Sequence, residues 1–321
     1  MKLKYKHQRF QEDAARAVTD CFLGQPHYDG TSNFLVDQGV VNGKQDNNLF
    51  HVEGFANAPL EPDVPLRDNI RRVQTSFGLK PIDQLEGDGR TLTIEMETGT
   101  GKTFTYIKTM FELNKLYGWT KFIVVVPSIA IREGVLSSFD SMSEYFAQEY
   151  GKRIQYFVYN SKQLSKIDSF AADAGIHVMI INTQAFNTSL NEDKNKEGRA
   201  GDAAARIIFS RRDEFRSRRP IDILAATHPI MIIDEPQSVL GANKTNQTRK
   251  GLKLFNSLFK LLYSATHRKD DIANMVYRLD AMDAYNKHLV KKIEVVGVEQ
   301  KGTTATNGYV YLEQILISTG N

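Results

Sequence analysis

Residues 95–103 read Glu-Met-Glu-Thr-Gly-Thr-Gly-Lys-Thr, between a strand-like run at 92–96 and a helix-like run at 104–117. That is the context a phosphate-binding loop requires. Thr98, Gly99, Thr100 and Gly101 supply a backbone that turns tightly enough for successive N–H groups to surround phosphate oxygens, and the helix that follows adds the positive end of its dipole. Lys102 then reaches the β- and γ-phosphates, and the Thr103 hydroxyl holds Mg²⁺. Met96 stands where the full G-x-x-x-x-G-K-T pattern has its first glycine, so the loop needs support from elsewhere in the chain. The support comes from residues 230–237, where four apolar residues run straight into Asp234-Glu235-Pro236-Gln237. Two carboxylates at the C-terminal end of a buried strand lie at the edge where open α/β sheets bind their ligands. Asp234 is suited to hold Mg²⁺ through its water shell, and Glu235 to polarise the water that attacks a γ-phosphate. Together the two stretches make a Walker A and Walker B pair.

Three further apolar runs end in small or polar residues. Residues 261–267 end in Ser264-Ala265-Thr266-His267; residues 124–134 join a strand to a helix through Pro127 and Ser128, with Arg132 one turn on; residues 181–184 end in Asn182-Thr183-Gln184. Ser128 and Arg132 are free to touch a phosphodiester backbone, although Ser128 also suits a helix N-cap, and Thr183 and Gln184 fall on the same edge of the sheet. Gln11, at the start of the first helix, can read an adenine through its amide.

The elements that must position these residues alternate. Short apolar runs at 92–96, 122–126, 154–159, 178–181, 230–233 and 261–263 are separated by longer stretches with helical spacing. This predicts an α/β fold, a mostly parallel sheet flanked by helices. Phe10, Ala14, Val18 and Phe22 recur at spacings of four and predict an amphipathic helix before the core. Residues 25–65, with glycine turns and Pro59, Pro62 and Pro65, read as an irregular insertion, and a polar stretch at 189–201 leads into Arg206, Arg211, Arg212, Arg216, Arg218 and Arg219. That cluster reads as a solvated helix face, or as a surface for nucleic-acid phosphate. A β-like run at 292–298, a flexible segment at 302–308 and a last short run to Ser318 form an unfinished tail.

Composition excludes little else. With 41% hydrophobic and 25% charged residues among 321, the chain reads as globular, and a formal charge of +3 permits a nucleic-acid partner without demanding one. The single cysteine, Cys21, rules out an internal disulfide, argues against a thiolate zinc cluster and reads as a core residue. No run approaches 18 apolar residues and the N-terminus is too polar for a signal peptide, so the expectation is a cytoplasmic protein with no membrane partner.

Met-Glu-Thr-Gly-Thr-Gly-Lys-Thr at 96–103, Val-Val-Pro-Ser-Ile-Ala-Ile-Arg-Glu-Gly-Val at 125–135, Asp-Glu-Pro-Gln at 234–237 and Tyr-Ser-Ala-Thr-His at 263–267 resemble helicase superfamily two, and within it the restriction (Res) subunit of type III restriction-modification enzymes. The Asp-Glu-Pro-Gln wording is the most telling of the four. Weaker echoes are residues 69–74, 277–279 and 291–295, so the resemblance spans nearly the whole chain. It implies a RecA-like P-loop domain, ATP and Mg²⁺ as ligands, and DNA-dependent ATP hydrolysis that licenses cleavage of double-stranded DNA alongside a modification (methyltransferase) subunit. Gln237, Ser264, Ala265 and Thr266 are then the residues that couple hydrolysis to nucleic acid. It further implies that residues 1–285 are the first RecA-like domain and 286–321 the start of a following linker or domain. The second motor domain and the nuclease are absent, and the chain reads as an N-terminal fragment that binds Mg-ATP weakly and hydrolyses it very slowly. The competing readings are a superfamily-two helicase of another pathway, a P-loop protein that never meets nucleic acid, and a non-catalytic fragment.

Overall fold

Strands buried on both faces need apolar residues at every position, and that is how the central sheet of this protein is written. The computed structural model describes residues 5–28, 53–186, 207–241 and 247–291, and the backbone alone of 32–35, 40–41 and 44–45. Helix α1 (Arg9–Asp20) is followed by the short strands β1 (Ser32–Leu35), β2 (Val40–Val41), β3 (Lys44–Gln45) and β4 (Glu53–Phe55) and by α2 (Leu66–Ser76). The core then alternates: β5 (Thr91–Met96), α3 (Lys102–Tyr117), β6 (Lys121–Val126), α4 (Ile129–Tyr150), β7 (Ile154–Val158), α5 (Ser165–Ala172), β8 (Ile176–Asn182), α6 (Pro220–Ala226), β9 (Ile230–Asp234), α7 (Pro236–Val239), α8 (Gln247–Leu254), β10 (Lys260–Ser264), β11 (Met275–Leu279) and α9 (Ala281–Asn286).

Seven strands form one sheet in the order β11-β5-β10-β9-β6-β8-β7, and every neighbouring pair is parallel. The expected α/β architecture, a mostly parallel sheet flanked by helices, is what the chain adopts. Side-chain alternation splits the core into two layers. Ile94, Met96, Val124, Val178, Ile232 and Tyr263 face α1, α2, α3 and α4, whereas Ile123, Val125, Met179, Ile233 and Leu262 face α5, α6 and α8. All six sequence-predicted strand runs are found within one or two residues. The seventh strand, β11, was not anticipated, because at the sheet edge it carries the half-exposed Arg278 in the middle of a short run.

Helix α1 forms as its spacing predicts, and Ala14, Val18, Cys21 and Phe22 are essentially inaccessible. The described part of the insertion contains short strands. β1 pairs with β4, and β2 with β3, in antiparallel ribbons. The buried Asn57 accepts from the N–H groups of Thr120 (2.8 Å) and Lys121 (3.0 Å) and donates to the carbonyls of Lys121 (2.8 Å) and His228 (3.0 Å), fastening this segment to the N-terminal edge of the sheet.

The arginine cluster is not a solvated helix face. Residues 207–219 form short 3₁₀ turns before α6, and Arg218 is 4% exposed, lies over the Phe215 ring at 4.0 Å and pairs with Asp168 at 2.6 Å. Arg212 pairs with Glu214, Arg219 with Asp222, and Arg211 donates to the Ser217 carbonyl at 3.1 Å. Much of the apparent charge is therefore neutralised locally. Arg206, the polar stretch 189–201 and the tail runs 292–298, 302–308 and on to Ser318 lie outside the described residues, and of the echo at 291–295 only Lys291 is described. The described residues up to Val290 belong to one compact unit. Among the described residues, no helix is long and apolar enough to cross a membrane.

Candidate functional site

Parallel strands deliver their C-terminal ends to one edge, and five of the seven carry the residues singled out above. The phosphate loop follows β5, Ser264 ends β10 and Asp234 ends β9; next along, Ser128 follows β6 and Thr183 follows β8. Met96 is the last residue of β5 with its side chain fully buried, an extended position that needs no glycine, so the loop proper begins at Glu97. Glu97 shapes it: its carboxylate accepts from the Thr98 N–H (2.7 Å) and its carbonyl accepts from the Thr100 hydroxyl (2.6 Å). Gly99 and Gly101 have φ of 82° and 87°, the left-handed region where a Cβ is costly. At Gly101 a Cβ would also lie 2.5 Å from Gln11 Nε2. Gln11 is nearly buried and donates through that nitrogen to the Thr100 carbonyl at 2.9 Å. Its amide thus ties α1 to the phosphate loop.

Lys102 opens α3, and its ammonium lies 3.2 Å from Glu235 Oε1 and 3.5 Å from the Met96 carbonyl. Glu235 itself is held in a left-handed conformation (φ 50°, ψ 60°) between β9 and α7, with its N–H bonded to the Tyr263 carbonyl at 2.9 Å. For a residue with a Cβ that conformation costs about 1–2 kcal/mol, and strain of this kind collects at functional turns. The second carboxylate oxygen accepts from Gln237 Nε2 (2.6 Å) and from the fully buried Ser264 hydroxyl (2.7 Å). Ser264 Oγ also lies 2.9 Å from Gln237 Oε1 and 3.0 Å from the Thr266 carbonyl, and it accepts from the Thr266 N–H. A hydroxyl has one proton, so Ser264 serves only one of those three acceptors at a time. Gln237, Ser264 and Thr266 therefore form one network on Glu235; no side-chain contact brings in Ala265, which sits between Ser264 and Thr266 in sequence.

The adjacent carboxylates are driven apart. Burial, and then the neighbouring Glu235 charge, push the Asp234 carboxyl up to about 6 against the pull of Lys102. Partial burial raises Glu235 too, but hydrogen bonds from Ser264 and Gln237 and the Lys102 ammonium carry it below the ordinary carboxylate value. Thr103 sits half-buried on the first turn of α3.

On the neighbouring strands, Ser128 caps α4 by accepting from the Ile131 N–H at 3.3 Å, and the Thr183 hydroxyl lies 3.3 Å from the Pro127 carbonyl, which brings these two loops together. Arg132 is paired with Glu133 at 2.7 Å, and Gln184 Oε1 accepts from Asn182 at 3.2 Å. Arg132 and Gln184 line a groove of about 630 Å³ with Tyr156, Asn160 and Lys166. Two residues near the site were not singled out by type. His267, at the end of the Tyr-Ser-Ala-Thr-His stretch, lies 3.1 Å from the Ile94 carbonyl of β5, and Tyr106 lies beneath the loop; its three-residue offset from Thr103 was the available signal.

A family model described as Type III restriction enzyme, res subunit, matches residues 67–269. The Res subunit of the type III restriction-modification enzyme EcoP15I from Escherichia coli is 33% identical over 244 residues, covering 70% of this chain and 23% of that protein. The EcoPI Res subunit of Escherichia phage P1 is 32% identical over 238 residues, with 70% and 23% covered. Among solved structures, the SWI2/SNF2 ATPase core of Sulfolobus solfataricus in complex with dsDNA aligns at a TM-score of 0.35 and 14% identity, over 68% of this chain and 35% of that one. The chain thus spans about a quarter of the length of these curated relatives. The family match covers more than half of the chain, including the phosphate loop, Asp234, Glu235 and Ser264, and the chain belongs to the family of type III restriction enzyme Res subunits.

Proposed function

We propose that this chain is the ATP-binding, helicase-like motor domain of a type III restriction endonuclease subunit, in which DNA-dependent ATP hydrolysis licenses cleavage of double-stranded DNA in partnership with a modification (methyltransferase) subunit. Residues 1–285 would be the first RecA-like domain, and the second motor domain and the nuclease would lie outside the chain. The observation that carries this reading is the convergence of Lys102, Glu235, Gln237 and Ser264 at the C-terminal edge of three adjacent strands.

The residues present fit Mg²⁺. Asp234 is a carboxylate pushed up by burial with no cation but Lys102 acting on it, and a buried phenol that feels both the Asp234 charge and the Thr103 hydroxyl has no partner at hydrogen-bond geometry. Bound there, Mg²⁺ would neutralise charge developing on the β- and γ-phosphates. Thr98 to Thr103 would cradle the phosphates, and Asp234 with Thr103 would hold the metal. The rest follows from Lys102 and Glu235. One ammonium cannot fully neutralise both Glu235 and a phosphate, so drawing Lys102 towards the nucleotide releases Glu235 to orient and polarise the attacking water. Glu235 then keeps only Gln237 and Ser264, and the single Ser264 proton carries its charge state to Thr266, two residues past the end of β10. Ser128, Arg132, Thr183 and Gln184 would meet the DNA backbone, Arg132 and Gln184 from within the adjoining groove.

Equilibrium titration with a fluorescent ATP analogue and Mg²⁺ tests the site. The account expects binding by the wild-type chain and a loss of tenfold or more in Lys102→Ala, since a charge-assisted contact is removed. Equal affinities would overturn it.

A further inference from the structure

Tyr106 is fully buried, and its hydroxyl has no hydrogen-bond partner. A buried hydroxyl left unpaired costs about 1–3 kcal/mol that phenylalanine would avoid, so packing alone does not account for it. Its position is specific. On α3 it follows Lys102 by four residues and Thr103 by three, which places all three on one side of the helix, and a helical side chain leans back towards the N-terminus. The ring therefore points under the phosphate loop, where it meets Tyr263 edge-on with centroids 5.7 Å apart. Tyr263 lies opposite Asp234 in the β10–β9 register. The Tyr263 hydroxyl is taken up by Thr109 at 3.1 Å, so it does not serve Tyr106. What Tyr106 faces are the Thr103 hydroxyl, near enough to interact with the phenol, and the charge of the Asp234 carboxylate; its hydroxyl reaches hydrogen-bond geometry with neither.

We propose that Tyr106 is a positioning residue: its hydroxyl donates to the Asp234 carboxylate when the nucleotide site fills, and fixes the orientation in which that carboxylate meets magnesium. The proposal rests on the nucleotide-site reading above. A phenol carries its proton at neutral pH and so can donate. A carboxylate held from below by a phenol presents its free oxygen towards Thr103, whereas an unheld one can rotate.

The test is the affinity for ADP of the wild-type chain and of Tyr106→Phe, by calorimetry in excess Mg²⁺ and again in EDTA. The proposal predicts about a tenfold weaker Kd in Mg²⁺ for the variant, the scale of one hydrogen bond to a charged group, with the EDTA values within about twofold. In an Asp234→Asn background the same change should have no further effect. The urea midpoint of Tyr106→Phe should be unchanged or higher. Equal Mg²⁺-dependent affinities, an equal loss in both conditions, or a lowered midpoint would each overturn the proposal and leave the nucleotide site standing. Absence of ADP binding by the wild-type chain would overturn both.

Discussion

Replacing Asp234 by asparagine should make the empty protein more stable while removing its response to Mg-nucleotide. Asp234 is 6% exposed, and its carboxyl is raised from the ordinary 3.8 to about 6. Between those values the folded chain binds more protons than the unfolded one, so stability falls as pH rises through that window, and above it the full cost stands. A rise of that size corresponds to about 3 kcal/mol at neutral pH. Asparagine keeps the shape and carries no charge. Urea unfolding of both proteins at pH 7.5 and pH 4.5, without nucleotide or magnesium, should give Asp234→Asn an advantage of about 2–3 kcal/mol at the higher pH and much less at the lower. Mg-ATP at a hundredfold excess over its Kd should then stabilise wild type by about 2.7 kcal/mol and the variant far less. An asparagine variant less stable than wild type at pH 7.5, or a gap that ignores pH, would refute the reasoning.

Two other substitutions probe the scaffold. Lys121 is fully buried, donates to the Asp173 carbonyl, and is pushed by burial from 10.5 down to about 8; the unfolded chain therefore binds more protons in between, and stability from this group rises with pH across that range. Lys121→Met should be more stable than wild type at pH 7 by up to about 3 kcal/mol, with the gap closing towards pH 10 in paired denaturation curves. Arg218→Ala should cost about 2 kcal/mol in urea unfolding, through the lost Phe215 contact and the broken pair with the part-exposed Asp168, whereas Arg211→Ala should stay within about 0.5 kcal/mol.

Much of this protein is legible in its sequence, for identifiable reasons. A parallel sheet covered on both sides demands continuous apolar strands, so β6, β8 and β9 announce themselves, and the polar residues that follow each one mark the working edge. The β11 edge strand escapes because Arg278 interrupts its run to pair with Glu95 on β5, a partner far away in sequence. The arginine cluster misleads for the same reason: nothing local to Arg218 shows that Asp168, on α5, will neutralise it. Within the candidate site, residue types pointed to Lys102, Asp234, Glu235 and Ser264, but not to the pairing of Lys102 with Glu235 or the packing of Tyr106 on Tyr263. Those contacts depend on how α3 lies across β10, which no spacing rule specifies.

The central claim is that this chain holds one half of a motor's nucleotide site. On the proposed reading the other half is an arginine supplied by a second motor domain, and such a finger is worth about 10³ to 10⁵ in rate where one is used. The most direct measurement is the steady-state Mg-ATP hydrolysis rate of the 321-residue chain, with and without duplex DNA, beside Lys102→Ala. The account predicts negligible turnover under all these conditions while Lys102-dependent nucleotide binding persists. Brisk, DNA-stimulated turnover that disappears in Lys102→Ala would show that the chain completes its own site, and would contradict it.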